Sequence, residues 1–472
     1  MKDSLQLGDV IPVPADVRPE PAVSFILSSR TGRTTVTGPT GAAGICDRLA
    51  VRLRAEAGVE VDVVTGPADI TLRLDPAVDG DEAYRLDIAA DGVTIAAAAP
   101  AGLAAGTHTL AQLAAAGGRL PGGRIVDRPR FPYRGVMLDL ARHFFTPAEI
   151  RVFVDEVVRF KINHLHLHLT DDQGWRLEID GWPRLTEVGG GPGTGVDGAG
   201  PGYLTAAEYR GLVDYAAERF VTIVPEIDMP GHVHAAQVAY PHLAPGGQPV
   251  APRTDTEVGH SSLVIGSEDT YVFVEDVIRA VAALTPGPYL HIGGDEAQAT
   301  SPEDYRAFLG RVLPLVEKYG KRAIGWHEIA AAHLPATAIA QYWRIEASDD
   351  GVARAAANGN QVIMSPADRT YLDMKYDADT ALGLDWAGHI GLDRAYGWDP
   401  ADRLPGVTEE HLLGVEAALW SETLRSLADV RQMAYPRLLA IAEIAWSPRA
   451  THDWASFAER LAKVPGAAPE SR

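Results

Sequence analysis

The chain has a single cysteine, Cys46, among 472 residues, so no intrachain disulfide, cysteine-based metal site or haem attachment can be built. It also lacks a positive charge balance. Lys and Arg number 42 against 63 Asp and Glu, a formal net charge of -21, which repels long contacts with nucleic acid phosphates and leaves a neutral or cationic small ligand favoured. An acidic surface serves ordinary solubility as well. No uninterrupted apolar run reaches the ~18 residues that a bilayer span needs. The N-terminus, MKDSLQLGDVIPVPADVRPEP, has no apolar core of the kind a signal peptide carries. No nucleic-acid partner and no membrane contact are expected, and the location expected is cytoplasmic unless a signal has been trimmed. Oligomeric state is not legible.

What is present is apolar residues at 46% of a long chain, enough for one large core and a smaller one, so two domains are expected. The Pro- and charge-rich stretch up to about residue 20 reads as a leading arm. From Val23 to about Ala116, strand-like runs alternate with helical patterns at 44–57 and 101–115. Asp69 to Asp75 alternates polar and apolar residues, and Tyr84 to Ala98 holds two runs around Asp91-Gly92, a hairpin signal. A loop with Gly117, Gly118, Pro121, Gly122 and Gly123 ends this α+β unit, which carries no cluster of reactive side chains and reads as a scaffold. The expected division is 1–127 and 128–472.

The second part repeats one pattern. Apolar runs at 134–141, 162–169, 221–227, 288–294, 322–326, 338–342, 361–364 and 413–419 are each followed by polar or aromatic residues and, in most cases, by an amphipathic helix. Thr146-Pro-Ala-Glu149 and Thr205-Ala-Ala-Glu208 are capping boxes, and Ser301-Pro302 puts Pro at a first helical position. Ile150, Phe153, Val154 and Val157 share one helical face. Eight strands interleaved with helices predict a (β/α)8 barrel preceded by the smaller α+β domain, with the functional groups just after each strand.

Those positions hold Arg142-His143, Asp171-Asp172, Glu226 to His232, Asp295-Glu296, Trp326-His327-Glu328, Trp343-Arg344, Pro366 to Asp373 and Trp420 to Glu422. Carboxylates for proton transfer and ring faces for sugar stacking are what glycoside hydrolysis needs. Because neighbours on a strand point to opposite faces, Asp295 and Glu296 are not expected to oppose each other across one sugar at the ~5 Å of an ordinary retaining pair. Two different roles on one side are expected instead. The Gly-rich stretch 189–202 is expected to be a mobile loop near the mouth, and Trp175, Trp182, Trp398, Trp446 and Trp454 are expected to pack in cores.

HIGGDEA (291–297), HLHLTDDQGWR (166–176), PEIDMPGH (225–232), GWHE (325–328), QYW (341–343), YLD (371–373) and LWSE (419–422) resemble, in order, the motifs of glycoside hydrolase family 20, the β-N-acetylhexosaminidases. The α+β unit resembles that family's accessory domain. The resemblance implies an exo-acting retaining hydrolase of terminal N-acetylglucosamine or N-acetylgalactosamine residues that needs no cofactor or metal. It is one of the exceptions to the two-carboxylate scheme, since the sugar's own acetamide is the nucleophile. Glu296 is then general acid and base, and Asp295 the acceptor of the acetamide N–H. Tyr371 orients the acetamide oxygen, and Trp326, Trp343 and Trp420, with Trp386 beside them, wall the sugar. Arg142, Asp373 and Glu422 grip hydroxyls. Asp171 and His232 form a chain to Glu296, which Asp228 joins.

Two rivals stand beside this reading. His164, His166 and His168 alternate on one strand face near Asp171, as in metal-dependent amidohydrolases, although hydrogen-bonded barrel histidines are the expected account. A non-catalytic sugar-binding protein on the same barrel is the other, against which the retention of Asp295 and Glu296 argues.

Overall fold

Eight apolar runs become eight parallel strands that close on themselves. The computed structural model describes residues 5–28, 32–115 and 117–464. Its barrel strands are β1 (Tyr133–Asp139), β2 (His164–His168), β3 (Thr222–Glu226), β4 (Tyr289–His291), β5 (Arg322–Trp326), β6 (Ile339–Tyr342), β7 (Gln361–Met364) and β8 (Leu412–Leu419). Pairing of β8 with β1 closes the ring, so the (β/α)8 architecture read from the runs is the one observed. Strands covered on both faces explain why the runs are continuously apolar rather than alternating; all eight residues of β8 are buried. Outside them, Thr146 and Thr205 close capping boxes with Glu149 and Glu208, each cap worth about 1 kcal/mol. Ile150, Phe153, Val154 and Val157 are all buried.

The barrel interior is layered. Tyr133, Val224, Ile324, Ile339, Ile363 and Leu413 fill an apolar layer. One step toward the C-terminal ends of the strands the filling turns polar, with His166, Glu226, His291, Gln341 and Glu416 all at 0% exposure. Among the described residues no helix is long and apolar enough to cross a membrane.

The smaller unit is a seven-stranded sheet in the order Asp16–Ile26, Arg119–Asp127, Tyr84–Ala89, Gly92–Ala97, Ile70–Leu74, Thr34–Thr37, Val61–Val63. Helices Ala43–Ala57 and Pro100–Ala114 pack against it. Two expectations fail here. Of the glycine-rich segment after the second helix, Gly117 and Gly118 do turn, but Pro121, Gly122 and Gly123 belong to the strand Arg119–Asp127, because these glycines admit a neighbouring backbone: a Cβ at Gly123 would lie 2.3 Å from the carbonyl oxygen of Arg18. The leading arm is also not free. Its first four residues lie outside the described residues, but Leu5, Leu7, Val10 and Ile11 are buried. Gln112 clasps Ile11 through both backbone groups at 3.0 and 2.7 Å, and from Asp16 the arm becomes an edge strand.

Between the two units, Asp127 is a shared anchor. Lys161 Nζ and Trp446 Nε1 each donate to its Oδ2 at 2.9 Å, so the barrel's own helix end at Trp446 packs into the smaller core. Trp454, expected in a core, is 42% exposed. One face rests on Phe457 and Tyr396.

Candidate active site

The loop after β4 carries the two adjacent carboxylates, and its geometry is dictated by glycine. Gly293 and Gly294 have φ of 67° and 96°. A Cβ at Gly293 would fall 1.8 Å from Asp228 Oδ1, so only glycine fits. Gly294 N–H donates to that same oxygen at 3.0 Å, and Tyr305 O–H donates to the Gly294 carbonyl at 2.6 Å. Glu296 follows with φ of 41°, a left-handed conformation that costs a non-glycine residue about 1 kcal/mol. The strand has ended four residues before Asp295, so the alternation argument for opposite faces does not apply. Both carboxylates line one cavity of about 320 Å³.

Arg142, His232, Asp295, Glu296, Trp343, Tyr371, Asp373, Trp386, Trp420 and Glu422 all line this hollow. They come from six different strand ends. Glu296, Tyr371 and Trp420 therefore share one space. The aromatic wall is contiguous: Trp343 lies parallel to Tyr371 at 6.5 Å, Trp386 meets both edge-on at 6.0 and 5.8 Å, and Trp420 is 6.2 Å from Tyr371. Trp343 is fixed by donating to Glu328 Oε2 at 3.1 Å.

Two expected site residues stand behind the wall. Trp326 has no exposed surface. It backs Trp420 at 5.9 Å, and its indole N–H donates to Glu226 Oε1 at 3.0 Å. Asp171 is buried and ties three site groups together: it lies 2.8 Å from Arg142 and 2.8 Å from His168 Nε2, and accepts from His232 Nδ1 at 3.1 Å. His232 Nε2 in turn lies 3.7 Å from Glu296 and 3.9 Å from Asp295.

Electrostatics divide these groups. Burial pulls His232 toward neutrality, but Asp171 first and then Asp295 outweigh it and hold the imidazolium well above its usual range. Asp171 stays ionised well below the carboxylate range, because Arg142 and His232 overcome its burial. Glu296 is pushed up to about 7, first by burial and then by the charge of Asp295. Asp295 itself is raised by burial. So are Asp373 and Glu422, and Glu422 further lifts Asp373. Arg142 remains charged between Asp171 and Asp139 despite burial, with its guanidinium 5.0 Å over Trp420.

The histidine-rich strand is hydrogen-bonded within the barrel. His166 lies 2.9 Å from both Glu416 and Glu226, His168 bridges Glu226 and Asp171, and His164 stacks on Tyr133 at 4.0 Å. His166, Glu226 and His291, and likewise His232, Asp295 and Glu296, are close enough to share an ion. Each ring nitrogen of His166 and His168 already faces a carboxylate oxygen, and three of the four are hydrogen-bonded to it.

The stretch 189–202 corrects an expectation. Val196 N–H donates to the Arg142 carbonyl at 2.9 Å and Gly195 N–H to that of Gln173 at 2.7 Å. Buried Arg176 grips the carbonyls of Leu140, Ala141 and Gly202. A Cβ at Gly202 would meet the Phe144 ring at 2.3 Å. Gly189, Gly190, Gly191, Gly200 and Gly202 serve close packing, and the segment buttresses Arg142.

Sequence reasoning missed Asp139 and Glu416, which sit inside apolar runs. Asp139 accepts from the backbone of Ala141 at 2.8 Å and of Ser421 at 3.0 Å, joining the first and last strand ends. A carboxylate within a buried strand was the available signal. Thr256, Val258 and Leu384 also line the cavity and come from loops with no such mark. A larger cavity, about 500 Å³, lies between the two units; its lining charges include the pairs Arg52–Glu56 and Arg219–Asp155.

Residues 131–449 match the family profile described as glycosyl hydrolase family 20, catalytic domain, and residues 8–128 match its domain 2. A β-N-acetylhexosaminidase of Cellulomonas fimi is 41% identical over 467 residues, covering 96% of this chain and 93% of its own. The Streptomyces coelicolor A3(2) family 20 β-N-acetylhexosaminidase superposes with a TM-score of 0.93 at 47% identity, covering 97% of this chain and 95% of its own. A mutant Streptomyces plicatus β-hexosaminidase in complex with the product GlcNAc matches equally, with a TM-score of 0.93, 47% identity and coverage of 97% and 94%.

Proposed function

Because the chain belongs to glycosyl hydrolase family 20 and is a glycoside hydrolase of the β-N-acetylhexosaminidase type, we propose that it removes single N-acetylhexosamine residues from non-reducing ends by substrate-assisted catalysis. The observation that carries this is the convergence of Asp295, Glu296 and Tyr371 with Trp343 and Trp420 on one cavity of about 320 Å³, at the small end of ligand pockets. Arg142, Asp373 and Glu422 at its wall supply the charged donors and acceptors that hydroxyls of a terminal sugar require, which supports exo action. The product bound by the Streptomyces plicatus relative supports N-acetylglucosamine as one accepted residue.

The acetamide sits among Trp343, Trp420 and Tyr371, whose hydroxyl donates to the acetamide oxygen. That oxygen attacks the anomeric carbon while Glu296 gives its proton to the glycosidic oxygen, and the aglycone leaves as an alcohol. A carboxyl held at about 7 still carries its proton in mildly acidic solution, as a general acid must. Asp295 accepts the acetamide N–H and stabilises the positive charge that develops in the oxazolinium ring. Glu296, now a carboxylate, takes a proton from water as that water opens the ring from the opposite face, so the β configuration is retained. His232, held charged against Asp171, lies against both carboxylates and favours their ionised forms when the proton departs.

An aryl β-glucoside lacking the acetamide should be cleaved at least 10³-fold more slowly than its N-acetyl counterpart, since the nucleophile is missing. Equal rates would rule out substrate assistance. Proton NMR of the first-formed sugar should show the β anomer.

A further inference from the structure

Asp228 follows β3 and is buried beneath the carboxylate pair. Its Oδ1 is filled by the Gly294 N–H, and its backbone N–H donates to Thr170 Oγ1 at 3.1 Å. Its Oδ2 has no hydrogen-bond partner among the described residues, and neither has Asp295 Oδ1, although the two carboxyl groups are within hydrogen-bonding reach of each other. Two neighbouring buried carboxyl groups, each with an oxygen that no donor fills, are an unstable arrangement. A single proton between them satisfies both.

The surroundings decide which carboxyl owns that proton. Asp228 faces the acids Asp295, Glu226 and Asp171 and the imidazoles of His232 and His168. Asp295 opens to the cavity and has His232 beside it. We propose that Asp228 is a positioning residue: it stays a carboxylic acid and donates its proton to Asp295 Oδ1, which leaves Asp295 Oδ2 turned to the cavity as the single anionic acceptor for the acetamide N–H. Burial and the neighbouring charge of Asp295 hold Asp228 well above the usual carboxylate range, in agreement with that geometry. The tight fit of Gly293 over Asp228 then serves the site by locking the donor in place. The proposal rests on the role given above to Asp295, but the proton itself can be seen without substrate.

Asp228→Asn keeps an acceptor for Gly294 and a donor for Asp295, and both side chains are neutral. Asp228→Ala removes the donor. In this chain, Asp228→Ala should lower kcat about 10- to 100-fold, as expected for a hydrogen bond to a charged group, and Asp228→Asn should recover at least tenfold of that loss. The pH profile of kcat/KM for Asp228→Asn should stay where the wild type has it, because no charge has been removed. The infrared spectrum of the wild type minus Asp228→Asn near neutral pH should show a carboxylic-acid C=O stretch. An absent acid band, a pH profile moved to lower pH in Asp228→Asn, or an Asn variant as impaired as the Ala variant each overturns the proposal. Should Asp228→Ala not fold, the band and the Asn profile still decide. If instead Asp295→Asn kept full turnover, the reading of Asp295 would fall while the acid band could persist.

Discussion

Glu226, at the end of β3, and Asp295, in the loop after the neighbouring β4, are both buried, yet their environments drive them in opposite directions. Glu226 accepts from Trp326 Nε1 and His168 Nδ1 and has His166 and His291 within 3.0 Å. Burial penalises its charge, but the three histidines outweigh that and hold it well below the usual range. Glu416 is similarly saturated by Tyr133, His166 and Gln341 and is also lowered. The cavity acids Asp295, Glu296, Asp373 and Glu422 are raised instead, and Asp295 Oδ1 and Asp373 Oδ2 have no partner among the described residues. The cavity acids are on the whole the more open set, but Asp373 is as buried as the scaffold acids and is still raised, so burial alone does not separate the two sets and the supply of protein donors does. An acid whose lone pairs the protein fills is part of the scaffold, and one left short of donors awaits a ligand's N–H or O–H groups.

The widest test of that division is on catalysis. Glu296→Gln should lower turnover of substrates with poor leaving groups about 10²- to 10⁴-fold and that of activated aryl substrates far less, since a phenolate departs with little protonation. Its thermal stability should be unchanged or higher, as for other strained site positions. A uniform loss across leaving groups would take general acid catalysis away from Glu296. Next comes the scaffold side. Glu226→Ala leaves Trp326 and His168 donors unpaired in a dry interior and should cost about 3–5 kcal/mol in denaturant unfolding. A loss under about 1 kcal/mol would erase the distinction between the two sets.

The barrel was legible because two-sided burial writes a mainly apolar run for most strands, broken by His164, His166 and His168 in β2 and by Asp139 and Glu416, and the capping boxes at Thr146 and Thr205 marked where helices resume. The mouth residues followed from position alone. What could not be read was set by tertiary packing. Gly123 and Gly202 look like loop glycines in sequence and are close-contact glycines in space, a difference that depends on Arg18 and Phe144 from distant segments. Trp326 and Trp343 both end strands and both read as sugar walls, but only the second reaches the cavity, because Glu226 draws the first inward. The buried arm residues Leu5 to Ile11 are short and irregular, so no periodicity announces them.

A smaller effect should appear in the pH dependence. Glu296 carries its proton below about 7 and loses it above, so kcat/KM should fall as pH rises through that value, the protonated form being the active acid. Asp295→Asn removes the second cause of the elevation, leaving burial and the weaker push of Glu328, and should move the fall to lower pH in the residual activity. A limb that stayed in place would mean that Asp295 does not lift Glu296.

The smallest expected change tests the comparison among aromatic rather than acidic groups. Trp386 is 50% exposed and meets Trp343 and Tyr371 only by edges, whereas Trp343 packs against the barrel core and is pinned by Glu328. An exposed ring at the cavity rim contributes stacking worth about 0.5–1.5 kcal/mol and nothing to the placement of the acetamide. Trp386→Ala should therefore raise KM about two- to tenfold with kcat nearly constant, while Trp343→Ala should lower kcat as well. If Trp386→Ala reduced kcat as much as Trp343→Ala does, the rim tryptophan would belong with the groups that hold the reacting atoms, and the boundary drawn here between rim and wall would have to move outward to include it.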